Sequence, residues 1–186
     1  MDLVRARTGL VPDPYFSATK LEWLLARHGG DLRFGTVDSW LVWRLSDGEV
    51  HATDLSNASR TMLLSLSELD WDADLLDLFG VPREVLPALV ASSGIVGEAR
   101  LLGATVPVAG LAGDQQAALF GHACFEPGQA KATYGTGSFV LANAGERLEA
   151  VPLGVLATVA WRLADTAATY ALEGSVFVTG AATRVP

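Results

Sequence analysis

The chain has 186 residues, half of them hydrophobic and 18% charged, a composition that supports a folded core and excludes a disordered segment. Its formal charge of -8, from 13 basic against 21 acidic residues, opposes non-specific attraction to nucleic acid or to an anionic membrane surface. A small-molecule partner is expected, and an anionic one such as a nucleotide would need backbone N–H groups, a metal ion or a few placed cations.

The first residues, Met1-Asp2-Leu3-Val4-Arg5-Ala6-Arg7, lack the apolar core of a secretory signal, and no later run offers about 18 uninterrupted apolar residues for a membrane span. Ser17 is the expected N-cap of a helix over 17–28, where Leu21, Leu24, Leu25 and His28 recur at helical spacing and Gly29-Gly30 supplies the stop. A second helix is expected over 36–45, from Val37, Trp40, Leu41 and Leu45, closed by Asp47-Gly48. Residues 49–53 read as a short strand and 55–65, which have no clear period, as loop. Two short helices are expected over 72–79 and 82–90, the second opened by Pro82. The run Val106 to Gly113 reads as a strand leading to a functional tip, and Ala117 to Phe120 as helix. Cys124, the one cysteine, permits no internal disulfide and suits a reducing cytoplasm, the expected location. Beyond the Glu126-Pro127-Gly128 turn, Thr, Val, Tyr and Phe predict successive strands over 131–141, 154–161 and 169–172. A boundary therefore falls near 122–128, between a helix-rich front and a strand-rich back.

Gly110-Leu111-Ala112-Gly113-Asp114-Gln115-Gln116 sets an acid and two amides beside glycines that let a ligand approach the backbone. Asp114 can be a general base, as phosphoryl transfer to an alcohol requires, or merely the N-cap of the following helix. Gly135-Thr136-Gly137 can offer N–H groups and a hydroxyl to phosphate oxygens, or be a plain hairpin turn. It is not a P-loop, because no Gly-x-x-x-x-Gly-Lys-Ser/Thr occurs. The five tryptophans read as core anchors, and His28, His51 and His122 lack metal-ligand spacing, so no metal ligand is assigned.

Four segments occur in an order that resembles the FGGY carbohydrate kinase family, and within it the members that phosphorylate glycerol. They are Asp13-Pro14-Tyr15-Phe16-Ser17 through Leu24, Ser56-Asn57-Ala58-Ser59-Arg60-Thr61-Met62-Leu63, Gly113 through Gly121, and Tyr134-Gly135-Thr136-Gly137. The likeness runs from about Val4 to Gly180, and Asp-Gln-Gln rather than Asp-Asn sets the chain apart from the pentulose kinases. The resemblance implies an α/β fold of two actin-like, ribonuclease-H-like domains, incomplete at both ends. Residues 1–122 would form the end of the first domain, on the substrate side, and 123–186 the start of the second, on the nucleotide side. It implies ATP and Mg2+ as cofactors and glycerol as substrate, with Asp114 as the base on the glycerol hydroxyl. Tyr15 and Gln115 would contact glycerol, Phe139 would pack against its carbon face, Thr136 would meet the nucleotide phosphates, and Gly180 would open the nucleoside-binding segment.

The chain also departs from the family pattern. A complete member begins with an Asp-Gln-Gly-Thr-Thr-Ser phosphate hairpin, which has no counterpart in this sequence, and Arg184 stands where a nucleotide-contacting glutamine would be expected. The expectation is a fragment that is nearly inactive alone, because phosphoryl transfer depends on positioning and electrostatic stabilisation; the alternatives are a kinase for another sugar or polyol of the family, or a non-catalytic remnant that serves as an interaction module. Strand edges left open in such a fragment would make a second copy or a complementing fragment its expected protein partner.

Overall fold

In the computed structural model the described residues are 2–183; Arg184 lies outside them. The front of the chain carries five helices, α1 (Asp2–Thr8), α2 (Ala18–His28), α3 (Val37–Leu45), α4 (Leu55–Ala58) and α5 (Ala73–Leu78). Between them run the short strands β1 (Ala52–Asp54), β2 (Leu64–Ser65), β3 (Asp70–Trp71) and β4 (Ala88–Val90). A long hairpin of β5 (Ser93–Leu101) and β6 (Ala104–Gly110) leads into α6 (Asp114–Gly121). The back is one antiparallel sheet of β7 (Ala130–Tyr134), β8 (Ser138–Gly145), β9 (Leu156–Arg162) and β10 (Ala168–Val176), in the order β7-β8-β10-β9.

The helices over 17–28 and 36–45 form as the apolar spacing predicts, each starting one residue later and ending where expected. Ser17 holds the N-cap position of α2 but has helical dihedrals and makes no side-chain cap bond, because the turn from Asp13 to Phe16 already leads the chain into the helix. Asp72 does cap α5, accepting from Leu75 N at 3.1 Å.

Trp23 and Trp40, expected as core anchors, are exposed instead, at 55% and 60%. Two secondary-structure expectations also fail. The helix expected over 82–90 is a single turn, Arg83–Val85, followed by β4. Pro87 cannot occupy a helix interior and drives Leu86 to extended dihedrals (φ -87°, ψ 148°), after which Ala88–Val90 pairs in parallel with Ala52–Asp54. The loop expected over 55–65 begins with α4, a four-residue helix that the Asp54 carboxylate initiates by accepting from Ser56 N and Asn57 N.

The main apolar core crosses from front to back: Leu10, Phe16, Leu21, Met62 and Leu75 pack in one cluster with Ala157, Val159 and Tyr170. A smaller cluster under α6 joins Leu119 to Leu141, Ala160, Trp161 and Ala171. The free edge of β9 is covered by the front of the chain. Ala157 N donates to Gly9 O at 3.0 Å, Val159 N to Ser59 Oγ at 3.2 Å and Arg162 N to Ser92 Oγ at 3.1 Å. Gly9 is required at this seam: its φ is +69°, and a Cβ there would stand 2.7 Å from Ala157 Cβ.

Candidate functional site

The site is built around the start of α6. Gly113 occupies the N-cap position, and its N–H donates to Ser56 Oγ at 2.9 Å. The Ser56 hydroxyl in turn donates to Asp54 Oδ1 at 2.9 Å. Asp54 is wholly buried and accepts also from Ser56 N, Asn57 N, Asn57 Nδ2 and Ser92 Oγ, at 2.7–3.0 Å. Its backbone N–H donates to Asp38 Oδ2 at 3.1 Å, and burial pushes the Asp38 carboxyl above the usual aspartate range. A buried polar network thus holds the turn from which α6 departs.

Asp114 is the first helical residue and not the N-cap: Gly113 holds the cap position, and Asp114 accepts from no backbone N–H among the described residues. Its carboxylate is exposed and accepts one hydrogen bond, from Gln115 Nε2 to Oδ2 at 3.2 Å. Gln115 Oε1 accepts in turn from Lys131 Nζ, which also donates to Thr133 Oγ1 at 2.8 Å. Lys131 is buried. Desolvation pulls its ammonium below the usual lysine range, and the Asp114 and Glu173 carboxylates oppose that pull. Gln116 turns inward and donates to Thr158 Oγ1 at 3.2 Å, tying α6 to the edge of the sheet.

Sheet register places Lys131, Leu141, Glu173 and Leu156 in one row, with Thr133, Phe139 and Ser175 in a parallel row on the same face. Phe139 therefore shares a face with the side chains that hold Gln115. Its ring lies 6.3 Å from that of Phe177, which lies 5.7 Å from exposed Tyr15. Glu173 is committed to Arg60, whose Nη2 donates to Oε1 at 3.0 Å while its guanidinium sits 5.2 Å over the Phe16 ring. Tyr15, Phe16, Arg60, Glu173 and Phe177 line a cavity of about 180 Å³.

The Gly135-Thr136-Gly137 segment is the tight turn between β7 and β8. Thr179 N donates to Thr136 O at 2.9 Å and Gly180 N to Gly135 O at 3.0 Å. A Cβ on Gly180 would fall 2.3 Å from Gly135 O, so only glycine permits this approach. The Thr136 hydroxyl and the N–H groups of Thr136 and Gly137 take no partner among the described residues.

Asp114 and Gln115 thus stand together, Phe139 and Tyr15 are linked through Phe177, and the turn that carries Thr136 is bonded to Gly180 through Gly135 O. A larger cavity of about 710 Å³, lined by Arg5, Arg7, Leu66, Arg147 and Tyr170 among others, includes none of the six. Sequence reasoning missed Lys131, Glu173, Asp54 and Ser56 as parts of the site. Ser56 and Arg60 lie in a segment that carries the family resemblance, which was a usable signal; Lys131, between alanines in a strand, offered none.

The model of the FGGY family of carbohydrate kinases, N-terminal domain, matches residues 1–121. The chain belongs to the FGGY family of carbohydrate kinases. Among curated relatives it is 55% identical to a glycerol kinase of Geobacter sp. (strain M21), over 98% of this chain and 39% of that protein, and 56% identical to one of Shewanella frigidimarina, over 97% and 38%. Among solved structures it is similar to a Plasmodium falciparum glycerol kinase with ADP, at a TM-score of 0.91 and 32% identity, over 98% of this chain and 38% of that one. This FGGY chain therefore spans about 38% of the length of the relatives it matches, and its fold is part of the actin-like, ribonuclease-H-like kinase fold. No helix among the described residues is long and apolar enough to cross a membrane.

Proposed function

We propose that this chain carries the substrate side of an ATP-dependent kinase that converts glycerol to glycerol 3-phosphate, with Asp114 as the base. The observation that carries the proposal is the exposed Asp114 carboxylate at the start of α6, with one side-chain donor on Oδ2 and Oδ1 without a hydrogen bond among the described residues. ATP supplies the phosphoryl group and Mg2+ neutralises charge on it. Asp114 accepts the proton of the attacking hydroxyl as the new oxygen–phosphorus bond forms. Gln115 and Tyr15 contact the polyol hydroxyls, and Phe139 packs on its carbon face. Thr136 and the turn around it offer N–H and hydroxyl donors to phosphate oxygens, and Gly180 keeps the nucleoside-binding segment against that turn.

No group of three His, Cys, Asp or Glu side chains suited to a metal gathers among the described residues. The division of labour follows the change near residue 122, with 1–122 on the substrate side and 123–186 on the nucleotide side. Residues 1–186 contain no Asp-Gln-Gly-Thr-Thr-Ser loop, so turnover by this stretch alone is expected to be slow.

The test measures glycerol 3-phosphate formation with Mg2+ and ATP, together with glycerol-induced NMR shifts at Gln115, Phe139 and Tyr15. Glycerol-dependent shifts at these residues support the reading, as does turnover lost in Asp114→Asn. A response to a pentulose in place of glycerol, or none at these residues, contradicts it.

A further inference from the structure

We propose that Lys131 is the positioning residue of the Asp114 site: its ammonium fixes the Gln115 amide in the one orientation that turns the NH2 group to Asp114 Oδ2 and leaves Oδ1 to the substrate. The last clause rests on the functional reading above; the positioning role does not.

The inference follows from donor and acceptor chemistry. An ammonium only donates and a carboxylate only accepts, so a glutamine amide lying between them is satisfied in one orientation alone. Oε1 faces Lys131 and Nε2 faces Asp114, as the contacts have it. Flipping the amide would set NH2 against ammonium and carbonyl against carboxylate, two repulsive contacts in place of two charge-assisted bonds.

Lys131 is well suited to this task because it cannot move away. It is 5% exposed, sits on β7 opposite Leu141 of β8, and holds a second acceptor in Thr133 Oγ1 at 2.8 Å. Glu173, in the same cross-sheet row, supports its charge, but that carboxylate is already paired with Arg60. Gln115 is therefore the acceptor at the exposed end of a fixed cation. Without Lys131, the glutamine would be a half-buried side chain with free rotamers, and the donor on Asp114 would come and go.

The experiment uses the whole chain and needs no turnover. The Gln115 side-chain NH2 resonances are assigned by their loss in Gln115→Glu, and their hydrogen exchange is compared in wild type, Lys131→Met and Lys131→Arg. Exchange should quicken roughly tenfold in Lys131→Met, as expected for loss of a hydrogen bond to a charged group, and return close to the wild-type rate in Lys131→Arg. Backbone amide exchange in β7 and β8 should stay as it was. Unchanged NH2 exchange in a folded Lys131→Met overturns the proposal. If only the Met variant loses the sheet, the Arg variant decides: slow exchange supports the role and fast exchange overturns it. Collapse of the sheet in both variants would make Lys131 a structural support and also overturn it. A chain with slow Gln115 exchange but no response to glycerol would sink the functional reading and leave the positioning role standing.

Discussion

Among the helices that begin beside an aspartate, α4 and α6 use the carboxylate in opposite ways. At the start of α4, Asp54 is fully buried and accepts from Ser56 N, Ser56 Oγ, Asn57 N, Asn57 Nδ2 and Ser92 Oγ. At the start of α6, Asp114 is exposed and accepts from Gln115 Nε2 alone. A carboxylate offers about four lone-pair sites, so Asp54 has no acceptor capacity left and its bonds go into folding. Asp114 keeps the spare capacity that accepting a proton requires. Ser56 joins the two, bonding Asp54 with its hydroxyl hydrogen and receiving Gly113 N on its oxygen, so that the saturated site holds the open one in place.

The contrast is broken most severely at Asp54. Asp54→Ala strands several buried donors and should lower the free energy of unfolding in urea by about 3 kcal/mol or more. Gly9→Ala, which combines a positive φ with a Cβ 2.7 Å from Ala157, should cost about 2 kcal/mol in the same assay. Ser56→Ala cuts the link between the two aspartates and should cost about 1 kcal/mol, with amide shift changes that reach Gly113 and Asp114.

A smaller effect is expected at Asp38. Burial raises its folded-state pKa above the ordinary 3.8, so the native state holds a proton that the unfolded chain has released. Its presence therefore costs stability as pH rises from 3.8 through the folded value, and Asp38→Asn should flatten that part of the stability profile. The smallest effect belongs to Asp114→Asn, which should leave unfolding within about 0.5 kcal/mol of wild type, because the carboxylate is exposed and supports no backbone group.

How much could be read beforehand depended on how local each signal was. The helices over 17–28 and 36–45 were legible because leucine spacing and the stops Gly29-Gly30 and Asp47-Gly48 lie within the segment itself. Residues 88–90 were not, because their strand exists only by pairing with β1, more than thirty residues away. α4 has no apolar period, since a four-residue helix started by Asp54 needs none. At the site, Asp114 stood out from its glycine-rich approach and from the family resemblance. Lys131 did not, because Ala130 and Ala132 give no alternation to show that a strand lysine points inward.

The most direct test of Asp114's role is phosphoryl transfer from ATP to glycerol, with Mg2+, by wild type and Asp114→Asn under conditions where both are equally folded. The account predicts that wild-type transfer, however slow, falls by on the order of 10²–10⁴-fold in the variant while the unfolding midpoint stays where it was. Equal transfer by the two folded proteins would contradict it.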